Sequence, residues 1–120
     1  TNTIEMMKSS PFFGVGTGDF PAEYSKINLV NSPKVKSTVQ PHNMYLYIQA
    51  QLGLLGLSIF LWIFYIQFQF ARASKDQFIH HTGVALPFLF LIIMLSDSYL
   101  LGHFTSNLFI LFSSFIYSNK

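Results

Sequence analysis

From residue 44 onward the chain is almost continuously apolar, and its polar residues fall at intervals that read as helix ends. The first run has its apolar centre at residues 52–66, LGLLGLSIFLWIFYI, with Gln49 and Gln51 before it and Gln67 and Gln69 after it. With its flanks it predicts a helix over residues 44–71, long enough for a hydrocarbon layer of about 30 Å, which needs about 20 apolar residues. Trp62 and Tyr65 suit an interface, where amphipathic rings gather. A short polar stretch with Arg72 and Lys75 separates this run from a second, residues 82–102, interrupted by Pro87 and Asp97. Pro87 predicts a kink, because neighbouring helices can satisfy the carbonyl that it frees. A turn at Gly102 and His103 leads to a third apolar segment, residues 104–117, which is short for a span.

Residues 1–43 are different in character. Residues 1–8 read as the end of an amphipathic helix with Ile4, Met6 and Met7 on one face. Pro11 stops it, FFGVGTGDF (residues 12–20) reads as a tight glycine-rich turn, and residues 21–40, rich in Ser, Asn, Lys and Pro, read as an exposed loop. Pro41 fixes the approach to His42 and Asn43, and Asn43 is placed to cap the helix that follows.

Composition turns this pattern into a fold class. Hydrophobic residues make up 51% of the chain and charged residues only 10%, against about 25% in ordinary soluble domains. No Lys, Arg, Asp or Glu occurs between Val39 and Ala71, and Asp97 is the only charge between Gln77 and Asn119. An uncharged stretch of that length is hard to place in a soluble core of so small a chain. The expected fold is therefore an all-α integral membrane protein, with about three transmembrane helices (44–71, 82–102 and 104–117) in residues 44–120 and a loop portion in residues 1–43. The first hydrophobic run starts far from the N-terminus, so no signal peptide is visible, and the chain opens inside a patterned segment. It reads as the C-terminal part of a longer membrane protein. Arg72, Lys75 and Lys120 fall on one side and Lys34 and Lys36 on the other, which favours a cytoplasmic Arg72 loop and an external 1–43. A formal charge of +2 argues against nucleic acid as a partner. The absence of cysteine excludes disulfides, thiol catalysis and Cys-ligated zinc.

Candidate chemistry concentrates in PHNMYLYIQAQLGLLG, residues 41–56. On a helix His42, Tyr45, Gln49, Gly53 and Gly56 fall within one stripe, polar at the membrane edge and small further in. Interior glycines in a membrane helix let a neighbouring backbone approach, so Gly53 and Gly56 read as helix-packing positions. His42 offers an imidazole at the outer mouth, and Asn43, Tyr45 and Gln49 are candidates for substrate contact beside it. Asp97, an ionisable group inside an apolar run, is a possible intramembrane polar site. GVGTG is neither a dinucleotide fingerprint nor a phosphate loop, since Asp19 stands where the third glycine would be and no Lys follows. Adjacent His80 and His81 point apart on a helix and have no third ligand nearby, so no metal is expected.

The spacing of His42-Asn43, nine residues, Gly53, two residues and Gly56 resembles the motif of the O-antigen ligase and O-antigen polymerase superfamily. SPFFGVGTGDF, residues 10–20, is similar to that family's turn of a Pro followed by GxGxxxF near its large periplasmic loop. The resemblance implies that residues 1–43 end a periplasmic loop and that the protein sits in the bacterial inner membrane. It implies a metal-independent glycosyltransferase without a cofactor, moving an undecaprenyl-diphosphate-linked oligosaccharide to lipid A–core. The alternatives within the superfamily are a polymerase or a protein O-oligosaccharyltransferase. A transporter fragment or a non-catalytic membrane subunit are the alternatives of another kind. It further implies that His42 is catalytic or positions substrate. Two departures stand out: the only arginine is Arg72, on the predicted opposite side, and Gln51 stands where the family often has Glu.

Overall fold

The computed structural model describes residues 2–118, and among them all regular structure is helical. The order is α1 (Asn2–Ser9), α2 (Phe20–Asn31), α3 (Met44–Ala73), α4 (Gln77–Ile93), a short 3₁₀ turn (Tyr99–Leu101) and α5 (His103–Tyr117). The chain forms two compact units, Thr1–Ile59 and Phe60–Lys120.

In the first unit α1 and α2 lie against each other. Met6, Phe20 and Ala50 are fully buried at its centre, with Met7, Val15, Tyr24, Ile27 and Tyr47 around them. The Phe20 ring stacks on Tyr24 at 5.6 Å and meets Tyr47 at 5.4 Å, separations at which aromatic pairs add to their burial. Buried Asn28 ties the edges together: its side-chain amide donates to Val35 O at 2.7 Å, and its oxygen accepts from Asn2 at 3.0 Å. Asn31 donates to Glu5 at 2.8 Å.

The helix α2 corrects the exposed loop expected over residues 21–40. Phe20, Tyr24 and Ile27 recur at helical spacing and face the buried centre, which is the periodicity of an amphipathic helix. Pro21 lies in its first turn, where a missing N–H costs nothing. Lys26 and Asn31 then lie on its wet face, while Asn28 turns inward.

In the second unit α4 is capped by Asp76, whose carboxylate accepts from the Phe78 and Ile79 amides. Phe109 of α5 meets Phe90 at 4.6 Å and Phe64 at 5.6 Å. Gly83 makes room for the other end of the contact. A Cβ there would press on Ala71 and Ile116, and the Tyr117 hydroxyl donates to Gly83 O at 2.6 Å. Pro87 lies inside α4. The second helix ends at Ile93, however, instead of running on to Gly102. Residues 94–98 turn away, with successive amides donating to Ile92 O and Ile93 O, and the Asp97 carboxylate accepts from Ser98 N at 2.7 Å. Ser96, Asp97 and Ser98 in succession compete with the helix ladder for backbone groups, which favours a stop there.

Helix α3 alone among the described residues is long and apolar enough to cross a membrane. Only 11% of its most apolar window is buried inside the structure, and Ile59, Trp62 and Ile66 are each more than half exposed. A soluble core helix would hide those side chains. Its stretch beyond the non-helical Gly53, residues 54–73, is about 30 Å long. By the same measure α4 and α5 reach about 26 and 23 Å, short of a full hydrocarbon layer.

Candidate functional site

Asn43 caps α3 as its sequence position suggested: its side-chain oxygen accepts from Leu46 N at 3.0 Å and its carbonyl from Tyr47 N at 3.0 Å. His42 precedes the cap, is exposed, and has a φ of 50°. A left-handed backbone is uncommon outside glycine, although histidine is among the residues enriched there. The conformation turns the chain sharply between Pro41 and the first helical turn. Tyr45 and Gln49 follow on that turn and the next, both half-buried. His42 therefore stands just outside the helix rather than on its stripe.

The stripe is interrupted a second time at Gly53, whose φ of 66° and ψ of −166° are not helical. This region is open essentially to glycine alone. The break strips the ladder of its usual partners, and residues 11–18 supply new ones. Val15 N donates to Ala50 O at 2.9 Å and Gly16 N to Gln51 O at 3.0 Å. In the other direction Leu54 N donates to Pro11 O at 2.9 Å and Leu55 N to Phe12 O at 3.3 Å. Two carbonyls before the break and two amides after it are thus paired with one extended segment.

This close approach explains the glycines on both sides. A Cβ on Gly53 would fall inside the backbone of Phe12 and Phe13, and a Cβ on Gly14 would fall inside that of Gln51. Gly14, at φ 73°, also needs the left-handed region. Gly56 serves the same break from one turn further on. The Leu52 side chain lies where a Gly56 Cβ would be. Among the described residues, the neighbour admitted by these glycines is the chain's own loop and Leu52.

Gln51 completes the arrangement and was legible only as a departure from a pattern. It is 7% exposed, and its side-chain oxygen accepts from Gly18 N at 2.6 Å while its backbone oxygen holds Gly16. With Gly14 N on Ser10 O at 3.0 Å, four amides of the GVGTG segment are committed inside the protein. A phosphate cradle needs such amides free and convergent. The segment is a clasp on α3, not an anion site.

Among the residues singled out from sequence, the first unit brings together His42, Asn43, Tyr45, Gln49, Gly53 and Gly56 along one helix start and its break. Asp97 belongs to the second unit, in the turn after α4 and outside any helix. No group of three or more His, Asp or Glu able to hold a metal occurs among the described residues. The arrangement offers an exposed imidazole just before a helix whose break at Gly53 is tied by backbone hydrogen bonds to residues 11–16.

Comparison with curated proteins and with solved structures gave no match. A family model described as O-antigen ligase matches residues 1–61. That stretch contains α1, α2, the glycine clasp, His42 and the broken start of α3, and it is just over half of the 120 residues. By that match the chain belongs to the O-antigen ligase family, whose members are membrane proteins acting as glycosyltransferases or ligases.

Proposed function

We propose that this chain carries the acceptor-activating part of a membrane glycan transferase. The donor is an undecaprenyl-diphosphate-linked oligosaccharide and the acceptor is lipid A–core, on the periplasmic side of the bacterial inner membrane. The observation that supports this reading is the family match, which takes in both the glycine clasp and the His42–Gly56 spacing. In the proposed step an acceptor hydroxyl attacks the anomeric carbon of the donor. The new glycosidic bond forms as the bond from that carbon to the diphosphate oxygen breaks. His42 takes the hydroxyl proton, and undecaprenyl diphosphate leaves with the bonding pair. An imidazole suits this role, because its ordinary pKa lies near neutral pH.

Asn43 fixes the start of α3 and so the place where the imidazole stands. Tyr45 and Gln49, half-buried below it, are the polar groups proposed to contact the sugar. No metal is needed in this scheme. The charge on the leaving diphosphate calls for cations, and the chain's arginine, Arg72, lies in the last turn of α3. The scheme therefore takes those cations from elsewhere in the complete protein. In the same reading α4 and α5 cross the membrane beside α3 with their short lengths made up by the turns at residues 94–102, which places 1–43 outside and residues 72–81 inside.

The test is His42→Ala and His42→Gln in the complete protein, read by transfer of O-antigen to lipid A–core. Both should insert normally, since the side chain is exposed and its loss removes little packing. Loss of a general base costs about 10²–10⁴ in rate, so transfer should fall by that factor in each. Activity retained by His42→Gln alone would make the residue a positioning group. Normal transfer by His42→Ala would overturn the assignment. Altered repeat number on the carrier, with lipid A–core untouched, would identify a polymerase instead.

A further inference from the structure

The break in α3 occurs where a membrane helix can least tolerate one. Gly53 lies within the apolar centre of α3, whose residues 44–71 carry no charge. If that centre, near Ile59, sits at the bilayer midplane, Gly53 is about 9 Å away, well inside a hydrocarbon half-thickness of about 15 Å. If Trp62 and Tyr65 are set at an interface instead, Gly53 moves still deeper. Hydrocarbon offers no partner to a freed peptide group. The groups freed here are those of Ala50, Gln51, Leu54 and Leu55, and the hydrogen bonds of 2.9–3.3 Å that satisfy them come from residues 11–16. Those residues must then lie at the same depth as the break.

The side chains of that segment fit such a place. Phe12 and Phe13 are 60% and 74% exposed, beside Leu52, Leu54 and Leu55, which are 41–52% exposed. Pro11 has no N–H to satisfy, and the amides of Gly14, Val15, Gly16 and Gly18 point inward to protein acceptors. Phe12 and Phe13 form the open apolar side of the segment, and Thr17, also exposed, lies at its end beside Asp19. Charges resume only at its ends, with Lys8 before it and Asp19 after it, both exposed.

We propose that residues 11–18 form a re-entrant wedge, entering and leaving the membrane on one side, with Phe12 and Phe13 among the acyl chains of the surrounding lipid. The inference rests on α3 spanning the bilayer. It goes further in placing a segment from the polar third of the chain inside the hydrocarbon. Acyl chains are the occupant because the patch is continuous with the lipid-exposed face of α3 at the same level and carries no free hydrogen-bonding group among those named.

The test uses the full-length protein, free of other cysteines, in liposomes, with a nitroxide attached at Phe13→Cys or, as a second site, Phe12→Cys. Oxygen concentrates in hydrocarbon and a neutral nickel chelate stays in water, so their relative collision rates read depth. Ile59→Cys on α3 and Lys34→Cys on the polar segment are the references. The wedge predicts that labels at Phe12 and Phe13 favour oxygen, as Ile59 does, while Lys34 favours nickel. Labels at Phe12 and Phe13 that favour nickel, with Ile59 still favouring oxygen, overturn the wedge and leave the span intact. Labels shielded from both reagents place a protein neighbour there and overturn the lipid contact. A nickel-accessible Ile59 removes the span itself, and the wedge with it.

Discussion

Replacing Gly53 by alanine probes the part of the site on which the rest hangs. The native φ and ψ at that position lie in a region costing a non-glycine residue about 1–3 kcal/mol. The added Cβ also meets the backbone of Phe12 and Phe13, which cannot move aside as a side chain would. Four backbone hydrogen bonds join the loop to the helix at this point, together contributing about 2–6 kcal/mol at the usual net value for each. Helix α3 has an alternative that the loop lacks. With alanine at 53 it can close its own ladder, Leu54 N turning back to Ala50 O, and release residues 11–18. The strain alone shifts that balance about 5- to 150-fold toward the released form. Hydrogen exchange of the full-length protein in nanodiscs resolves the two segments. Peptides covering residues 12–18 should lose protection by at least tenfold, while those covering 50–56 keep or gain it, and glycan transfer should fall. Unchanged exchange at 12–18 would refute the reasoning, since neither the strain nor the clash could then be present. Equal loss of protection in both segments would mean that α3 itself unravels, and the proposed alternative ladder would be wrong.

Other expected outcomes follow from single contacts. Asn43→Ala removes the acceptor of Leu46 N and should destabilise the start of α3 by about 1 kcal/mol; His42-dependent transfer should fall with it, and Asn43→Ser should restore most of both. Asp97→Leu deletes the acceptor of Ser98 N in the turn after α4 and should lower folded yield, whereas Asp97→Asn keeps an oxygen there and should lower it less; wild-type yield in both variants would remove Asp97 from any structural role. Single-cysteine labelling tests the orientation: an impermeant reagent in intact cells should reach Ser32→Cys and not Ser74→Cys, and the reverse pattern would invert the proposed topology.

The sequence pattern located the helices better than their ends. The run of residues 44–71 had length, apolarity and a capping Asn, and α3 begins at Met44 and ends at Ala73. The end of α4 was obscured because residues 94–102 remain largely apolar, and hydropathy does not register the backbone competition set up by three successive small polar side chains. The helix α2 was hidden for the opposite reason. Its wet face of Glu23, Ser25, Lys26 and Asn31 resembles loop composition, and its moment is weak. Its buried stripe is carried by Phe20, Tyr24 and Ile27. Only the partners in α1 and at Ala50 show why that stripe is enough.

The motif raises a subtler point about what a glycine spacing can say. Gly53 and Gly56, read along one helix, signal that something comes close, and both a neighbouring helix and a chain break satisfy that signal. The distinguishing clue lay far upstream, in Gly14 of the glycine-rich segment. Gly14 lies against the backbone of Gln51 and Gly53 against that of Phe12 and Phe13, because two backbones meet there. Gln51 anchors the pairing: its backbone oxygen holds Gly16 and its side-chain oxygen holds Gly18, so one buried residue fixes two points of the incoming loop. A glutamate at the same place would present the same acceptor oxygen with a stronger, charge-assisted bond. Glutamine keeps the geometry without burying a charge in the uncharged residues 44–71 of α3, and the clasp accounts for the position.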